Sequence, residues 1–153
     1  MKGIVAMKHI TSFIVGMMLM VACGDYHTSD NGELDGFWQL MQTDTLSNGH
    51  SEDMRQRQIF WSVQADLLRM SDLHALYGEY VPIYFRFELK GDRLRVYDPV
   101  ADRRIVSDSI VTDVETVRFY GLNSLDEAFR VLQLEDTKMT LENERLRMYF
   151  RKY

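Results

Sequence analysis

The chain has only one cysteine and two prolines among its 153 residues. One cysteine cannot build a disulfide framework within the chain, and it cannot supply a zinc or iron–sulfur site that needs several thiolates. Basic residues are also scarce, because 18 Lys and Arg stand against 23 Asp and Glu, for a formal net charge of −5. A nucleic-acid-binding surface requires clustered positive charge, so this class is excluded. Hydrophobic residues make up 46% of the chain and aromatic residues 12%, as expected of one folded domain.

Residues that could carry chemistry are few and scattered. The four histidines, at positions 9, 27, 50 and 74, have no metal-ligand spacing. No phosphate-binding glycine loop and no nucleophile elbow occur in the sequence. Acidic clusters such as 113–115 are typical of solvated turns. The sequence therefore predicts a protein that is not an enzyme and uses no metal or cofactor.

The first 22 residues have the pattern of a secretory signal peptide. Two lysines are the only charged residues before Cys23, and an apolar run of about a dozen residues separates them from it. A transmembrane helix needs about 20 apolar residues, so this run is short for one. Translation could start at Met1 or at Met7. We expect residues 1–22 to be removed.

The end of this run, Leu19-Met20-Val21-Ala22-Cys23-Gly24, resembles the lipobox of bacterial lipoproteins, with Met20 where leucine is usual. The resemblance implies a lipid anchor on Cys23 and a location in the cell envelope, at the outer membrane or the cell surface. Acyl chains on a thiol give membrane affinity of about 0.8 kcal/mol per buried CH₂. Residues 23–33 are polar and are expected to form a flexible tether, which leaves residues 34–153 as the folded domain. The alternative is a secreted protein with an incidental cysteine.

From Phe37 onward, short segments with alternating polarity recur at the spacing of an all-β fold. The predicted strands are Phe37–Thr43, Ile59–Leu68, Pro82–Lys90, Arg93–Asp98, Ile110–Tyr120, Phe129–Glu135, Lys138–Glu142 and Arg145–Lys152. Short helices are predicted at Ser71–Tyr77 and at Ser124–Ala128, where Ser124 and Glu127 have the spacing of a capping box.

Two-residue turns predict how neighbouring strands pair. A turn at Gly91-Asp92 places Leu89 opposite Leu94, Phe87 opposite Val96 and Glu88 opposite Arg95. A turn at Asp136-Thr137 places Leu134 opposite Met139 and Leu132 opposite Leu141, and a turn at Asn143-Glu144 places Glu142 opposite Arg145. Both turns put one set of apolar residues on a single inner face: Leu132, Leu134, Met139, Leu141, Leu146, Met148 and Phe150. The same parity puts Phe129 and Val131 outside, unless a bulge near Arg130 intervenes.

An antiparallel meander with one apolar face closes into a barrel of about eight strands or packs as a two-sheet sandwich. The segment Gly36-Phe37-Trp38 resembles the Gly-x-Trp motif that opens the first strand of lipocalins. With the lipobox and the meander, the chain is similar to the lipocalin-like lipoproteins of Bacteroides-type bacteria. This resemblance implies an antiparallel lipocalin-like barrel of about eight strands with one or two short helices.

The resemblance also implies how the barrel closes and what it holds. In lipocalins an arginine near the last strand packs over the motif tryptophan. Arg151 is the nearest match here, and we expect Arg147, Arg151 or Lys152 to lie within about 6 Å of the Trp38 ring. A ligand would then enter from the opposite rim, near the connection Leu46–Arg57. Lipocalins hold a small hydrophobic ligand, which would be the partner of this chain besides the membrane.

The aromatic residues Trp61, Phe85, Phe87 and Phe119 are the candidate walls of a ligand pocket. The alternative is a filled core, with a protein that recruits an envelope partner through its surface. The basic residues Arg93, Arg95, Arg145 and Arg147 are expected to pair with Glu88 and Glu142; binding an anionic partner is the alternative.

Overall fold

The computed structural model describes residues 29–73, 81–102 and 108–153. Its elements in chain order are η1 (Gly32–Leu34), β1 (Gly36–Thr45), β2 (Ser51–Asp53), η2 (Arg55–Arg57), β3 (Ile59–Gln64), β4 (Leu67–Asp72), β5 (Ile83–Lys90), β6 (Arg93–Ala101), β7 (Ser109–Ile110), α1 (Glu115–Arg118), β8 (Glu127–Glu135), β9 (Lys138–Glu142) and β10 (Leu146–Lys152).

Eight of these strands form a closed antiparallel barrel. Their order is β1-β3-β4-β5-β6-β8-β9-β10, and β10 pairs with β1 from Trp38–Lys152 to Thr45–Leu146. The short strands β2 and β7 pair with the ends of β1 and β6, at Gln42–Asp44 and Val100–Ala101, beyond the stretches that pair with β3 and β8. The barrel is therefore confirmed and the sandwich is excluded. Closure leaves the barrel without a free sheet edge.

The barrel interior holds the apolar residues that alternate along the strands. The largest side chains that are almost fully enclosed include Trp38, Trp61, Phe85, Phe129, Leu68, Met70, Leu94 and Met139. Burying each of these side chains stabilises the fold by about 1.5–3 kcal/mol, which makes the interior the main source of stability.

Bulges decide which residues point inward at three places: in β1, in β8, and where β6 passes β5 between Tyr84 and Arg86. One bulge in β1, between Leu40 and Gln42, keeps both Leu40 and Thr43 buried. Another in β8, between Val131 and Gln133, changes the parity of that strand. Phe129 is consequently buried, whereas Leu132, which we expected inside, is 41% exposed. A bulge adds one residue to one strand, so every residue beyond it changes face.

The predicted register is confirmed for one hairpin and partly for the others. The Gly91-Asp92 hairpin has the expected pairs, including Leu89–Leu94. At the Asp136-Thr137 turn the expected pair Leu134–Met139 is present, but the bulge moves Leu141 opposite Val131.

The predicted turn at Asn143-Glu144 is wrong by one residue. Glu142 pairs with Arg147 instead of Arg145, and the turn is closed by a hydrogen bond from Asn143 N to Leu146 O at 3.0 Å. The Asn143 side chain also accepts hydrogen bonds from the next backbone N–H groups, which moves the turn along the chain. Moving it one residue shifts the pairing by two, so the inner face is unchanged: Met139, Leu141, Met148 and Phe150 are buried, while Leu134 and Leu146 are half-buried.

The single strand predicted for Ile59–Leu68 is wrong. The chain turns back at Ala65-Asp66, so β3 and β4 form a hairpin. Ala65 adopts a φ of +52°, a left-handed conformation that alanine rarely takes. The helix predicted for Ser71–Tyr77 is also wrong at its start, because Ser71 lies in β4; residues 74–77 lie outside the described part.

Two more elements differ from the prediction between residues 110 and 128. The strand predicted for Ile110–Tyr120 ends at Ile110 and is followed by α1, because Val111, Val114 and Val117 recur every third residue, a helical rather than a strand spacing. The helix predicted for Ser124–Ala128 is absent. Ser124 does bond Glu127, at 2.9 Å, but within a loop that leads into β8.

The chain path gives the barrel two different ends. At the closed end lie the tight turns at Ala65-Asp66, Gly91-Asp92 and Asp136-Thr137, together with residues 29–35. At the open end lie the longer connections, 46–58 and 111–126, and the β9–β10 turn. This arrangement agrees with the predicted location of Leu46–Arg57 at the rim opposite Trp38.

Candidate functional site

Trp38 closes one end of the barrel. Its side chain is fully buried, and its indole Nε1 donates a hydrogen bond to Leu34 O at 2.8 Å. The Lys152 Nζ lies 4.7 Å from the centre of the Trp38 ring and donates a hydrogen bond to Glu33 O at 2.9 Å. Gly36 has a φ of +130°, and a Cβ there would lie 3.0 Å from the Lys152 Cε. Glycine therefore leaves room for the lysine to reach the ring.

The basic residue over Trp38 is Lys152, and the assignment of Arg151 is corrected. Trp38 and Lys152 are direct partners across β1 and β10, so their side chains share the inner face. Arg151 is one residue out of phase and points outward, where its guanidinium lies 5.4 Å from the Tyr153 ring.

The segment before β1 is fastened to the closed end. Asn31 Nδ2 donates to Ala65 O at 2.7 Å, and Ser29 Oγ accepts from Ala65 N at 2.6 Å. Partial burial tends to raise the pKa of Asp35, but hydrogen bonds from Ser29 and Asn31 outweigh it and hold that pKa below its usual range. Residues 29–33 of the expected tether thus lie against the barrel, and Cys23 and the rest of the tether lie outside the described part.

The half of the barrel nearer the closed end is filled by side chains that pack around Trp61. Its ring contacts Phe129 and Phe150, with centroids 5.6 and 5.0 Å away. The Trp61 Nε1 is buried without a hydrogen-bond partner in the described part of the chain. Phe85 is fully buried, and Phe87 packs half-buried against the same core. The roles of these three aromatic residues as pocket walls stay a prediction, and their geometry is that of a packed core.

The open end contains a cavity of about 210 Å³, which we call the rim pocket. Its lining comes from both sides of the barrel mouth and comprises Leu40, Thr43, Thr45, Glu52, Met54, Arg57, Arg118, Phe119, Gly121, Arg145 and Leu146. Leu40 and Met54 belong to the buried core, so the pocket reaches the top of the barrel interior. Phe119, one of the four predicted wall residues, lies here.

Arginine side chains surround the mouth of the rim pocket. Arg57 forms a salt bridge with Glu52 at 2.5 Å, and its guanidinium lies 5.9 Å from the Phe119 ring centre. Arg118 bonds Glu115 at 2.9 Å along α1. Both side chains are exposed, so the attraction within each pair is weakened by water.

The third arginine, Arg145, is held by a polar network. Its Nε donates to Asn123 Oδ1 at 2.8 Å. Asn123 is fixed in turn by Glu127, whose carboxylate accepts from the Asn123 backbone N–H at 2.9 Å and from its side-chain amide at 3.3 Å. Asn143 donates to Gly121 O at 2.9 Å and so joins the β9–β10 turn to the 111–126 connection. The network therefore fixes where the Arg145 guanidinium sits.

Two other basic residues of the predicted row, Arg95 and Arg147, make ion pairs, whereas the cross-strand partners of Arg93 are the basic residues Lys90 and Arg130. Arg147 bonds Glu142 at 2.6 Å, as expected, and Arg95 bonds Asp126 at 2.5 Å instead of Glu88. Arg145 has no carboxylate partner within the described residues. Sequence patterns could not single it out, because Asn123 and the rim pocket are brought to it only by the fold.

Two larger hollows lie on the outer surface. One, of about 490 Å³, is polar and includes Arg130 and Glu142, which bond each other at 2.5 Å. The other, of about 470 Å³, includes Leu67, Tyr84 and Val100 on the outer face of β4, β5 and β6. Both hollows are more open to solvent than the rim pocket. The rim pocket is the smallest of the three, but among them it alone is lined by the core residues Leu40 and Met54.

Among residues 29–73, 81–102 and 108–153, no group of three or more His, Cys, Asp or Glu side chains is placed to hold a metal ion. No helix in those ranges has the length and apolar character needed to cross a bilayer.

Comparison with known proteins agrees with the fold. The family described as "Lipocalin-like domain" matches residues 17–153. A lipocalin-like protein from Bacteroides uniformis is 24% identical, with a TM-score of 0.60, over 80% of this chain and all of that one. An uncharacterized protein from Bacteroides eggerthii is 23% identical, with a TM-score of 0.58, over 78% of this chain and 98% of that one. No curated protein matches the sequence.

Proposed function

Because the chain belongs to the lipocalin-like domain family, we propose that it binds a small apolar molecule in the open end of its barrel while a lipid on Cys23 anchors it in the cell envelope. The observation that carries the binding proposal is the rim pocket. It opens at the barrel mouth, and its lining, which is more polar than apolar, includes the apolar side chains Leu40, Met54 and Leu146. Ligand sites are typically concave and apolar, with a few polar groups that orient the ligand.

The size of the rim pocket limits what it holds. At about 210 Å³ it is smaller than the roughly 300–1,000 Å³ of drug-sized sites. Below it, the aromatic core around Trp61 fills the barrel. The proposed ligand is therefore small, or it inserts only one apolar group while the rest stays at the rim.

The filled interior near the closed end of the barrel also supports the second candidate function. In this alternative the chain is a binding module that recruits an envelope protein through its surface. Native mass spectrometry of protein extracted gently from its own cells separates the two. We expect a complex heavier than the lipidated chain by one small organic molecule. A bare chain, or a chain bound to another protein, would contradict ligand binding and favour the second candidate.

A matched pair of variants locates the ligand. Leu146→Gln places a polar group in the rim pocket, whereas Leu132→Gln changes an exposed leucine on the outer face. We expect the first variant to lose the retained ligand and the second to keep it, with thermal unfolding confirming that both are folded. Equal retention by both would exclude the rim pocket as the site.

The anchor is tested separately. Cys23→Ser removes the thiol that would carry the lipid, so we expect the protein to leave the membrane fraction. Tyr26→Phe, which changes the tether but keeps the cysteine, should stay with membranes. If Cys23→Ser fractionates with membranes as fully as the natural chain, the anchor assignment is wrong.

A further inference from the structure

The charges at the rim pocket are unevenly matched. Three arginines and one glutamate line it. Arg57 is paired with Glu52, and Arg118 is paired with Glu115 just outside the lining. Arg145 has no carboxylate in reach among the described residues, so its positive charge is the one at this mouth that is not neutralised by an acidic side chain.

The Arg145 guanidinium is oriented but not saturated. Its Nε is used by Asn123 Oδ1 at 2.8 Å, and within the described part of the chain its two terminal nitrogens have no hydrogen-bond partner. The residue is half-buried, whereas Arg57 and Arg118 are exposed. A guanidinium has five N–H donors in a planar fork that suits two oxygen atoms of a carboxylate or phosphate. A fixed, partly buried fork with free donors binds such a group at less entropic cost than a mobile surface arginine.

Apolar side chains lie in the same cavity as this fork. Leu40, Met54 and Leu146 line it together with Arg145, although polar groups make up most of its exposed wall. A molecule in the cavity therefore meets a small apolar area and an unpaired cation.

We infer that the ligand is a small amphipathic anion: a carboxylate or phosphate group bonded by the terminal nitrogens of Arg145, with a short apolar chain against Leu40, Met54 and Leu146. This inference rests on the proposed function and specifies its ligand class. Arg145 would then set the selectivity for anions, while Asn123 and Glu127 position it.

The test compares probes that share a six-carbon chain and differ in the head group: hexanoate, hexyl phosphate and 1-hexanol. Dissociation constants are measured on the whole chain by NMR titration. We expect both anions to bind at least about tenfold more tightly than 1-hexanol. The reason is that a hydrogen bond between two charged groups is stronger than a hydrogen bond to a neutral hydroxyl. Whichever anion binds more tightly identifies the head group.

Variants assign the effect to Arg145. Arg145→Gln should remove the preference for anions by weakening binding of hexanoate and hexyl phosphate much more than binding of 1-hexanol, and Arg145→Lys should restore part of the preference. Arg151→Gln removes an exposed arginine at the closed end, so it should behave as the natural chain does. Raising salt from about 50 to about 500 mM should weaken binding of the anions and not of 1-hexanol, which tests the inference without any variant.

The outcomes separate this inference from the proposed function. If all three probes bind equally, or if Arg145→Gln keeps the preference, the anion inference is wrong and apolar binding stands. If none of the probes binds, both fail.

Discussion

Replacing Lys152 by methionine tests how the closed end of the barrel is held. The substitution keeps the aliphatic stem that lies against Gly36 and over Trp38 but removes the ammonium group. Two interactions are lost: the contact of Nζ with the Trp38 ring at 4.7 Å and its hydrogen bond to Glu33 O at 2.9 Å. Because both are made by one atom, their contributions cannot simply be added.

The size of the effect follows from the environment of Lys152. A cation–π contact contributes about 0.5–2 kcal/mol, depending on exposure. A hydrogen bond from a charged group contributes about 1.5–3 kcal/mol. Lys152 is half-buried, and its ammonium regains hydration on unfolding, so the lower part of the combined range applies. We expect Lys152→Met to lower the free energy of unfolding by about 1–2 kcal/mol.

Urea unfolding followed by tryptophan fluorescence measures this change. With a slope of about 2 kcal/mol per molar urea for a domain of this size, the midpoint should fall by about 0.5–1 M. Arg151→Met is the matched control: its guanidinium lies on the outside over the exposed Tyr153, and we expect little change. If Arg151→Met destabilises the domain more than Lys152→Met, the assignment of the closing residue to Lys152 is refuted.

Three further substitutions test the core, the rim and an ion pair. Leu141→Ala opens a cavity in a fully enclosed site and should lower the unfolding free energy by about 2–5 kcal/mol in the same urea assay; a loss below 1 kcal/mol would contradict that position. Gly121→Ala adds a Cβ that overlaps the Met148 Sδ at a φ of +96°, so we expect a loss of about 1–3 kcal/mol, and an unchanged urea midpoint would refute the close approach. Hydrogen bonds from Arg147 lower the pKa of Glu142 below its ordinary value of 4.5, so this pair stabilises the fold above about pH 4.5 and less as pH falls through the lowered pKa. Glu142→Gln should therefore be less stable than the natural chain at neutral pH, and the difference in thermal unfolding should shrink towards pH 3; a difference independent of pH would contradict the pair.

The hairpin at Gly91-Asp92 illustrates what could be predicted from sequence. Its strands alternate cleanly, and its two-residue turn has glycine where a positive φ is needed. Each pattern fixes the same register, so the predicted pairs are correct. The inner face of β10 was predictable for a similar reason, since a shift of two residues leaves side-chain parity unchanged.

The failures have physical causes that composition does not reveal. The bulge at Leu132 has no marker in its residue types, yet it reverses which side chains of β8 are buried. The turn at Ala65-Asp66 interrupts a run in which Ala65 and Leu67 continue the apolar period, so a longer strand fits the pattern equally well.

The candidate site was the least accessible to prediction. Phe119 could be proposed because aromatic residues commonly line pockets. Its neighbours Arg57 and Arg145 are separated from it along the chain and meet it only when the barrel closes. Charged residues on polar faces usually form surface pairs, so no sequence pattern distinguishes Arg145 from the arginines that form such pairs.

An NMR titration of methyl groups with 1-hexanol tests ligand binding at the open end most directly. The account predicts saturable shifts of the Leu40, Met54 and Leu146 methyl signals, which line the rim pocket. The signals of Leu68, enclosed nearer the closed end, should stay in place. Saturable shifts confined to Leu67 in the outer hollow, or no saturable shift at any of these methyl groups, would contradict it.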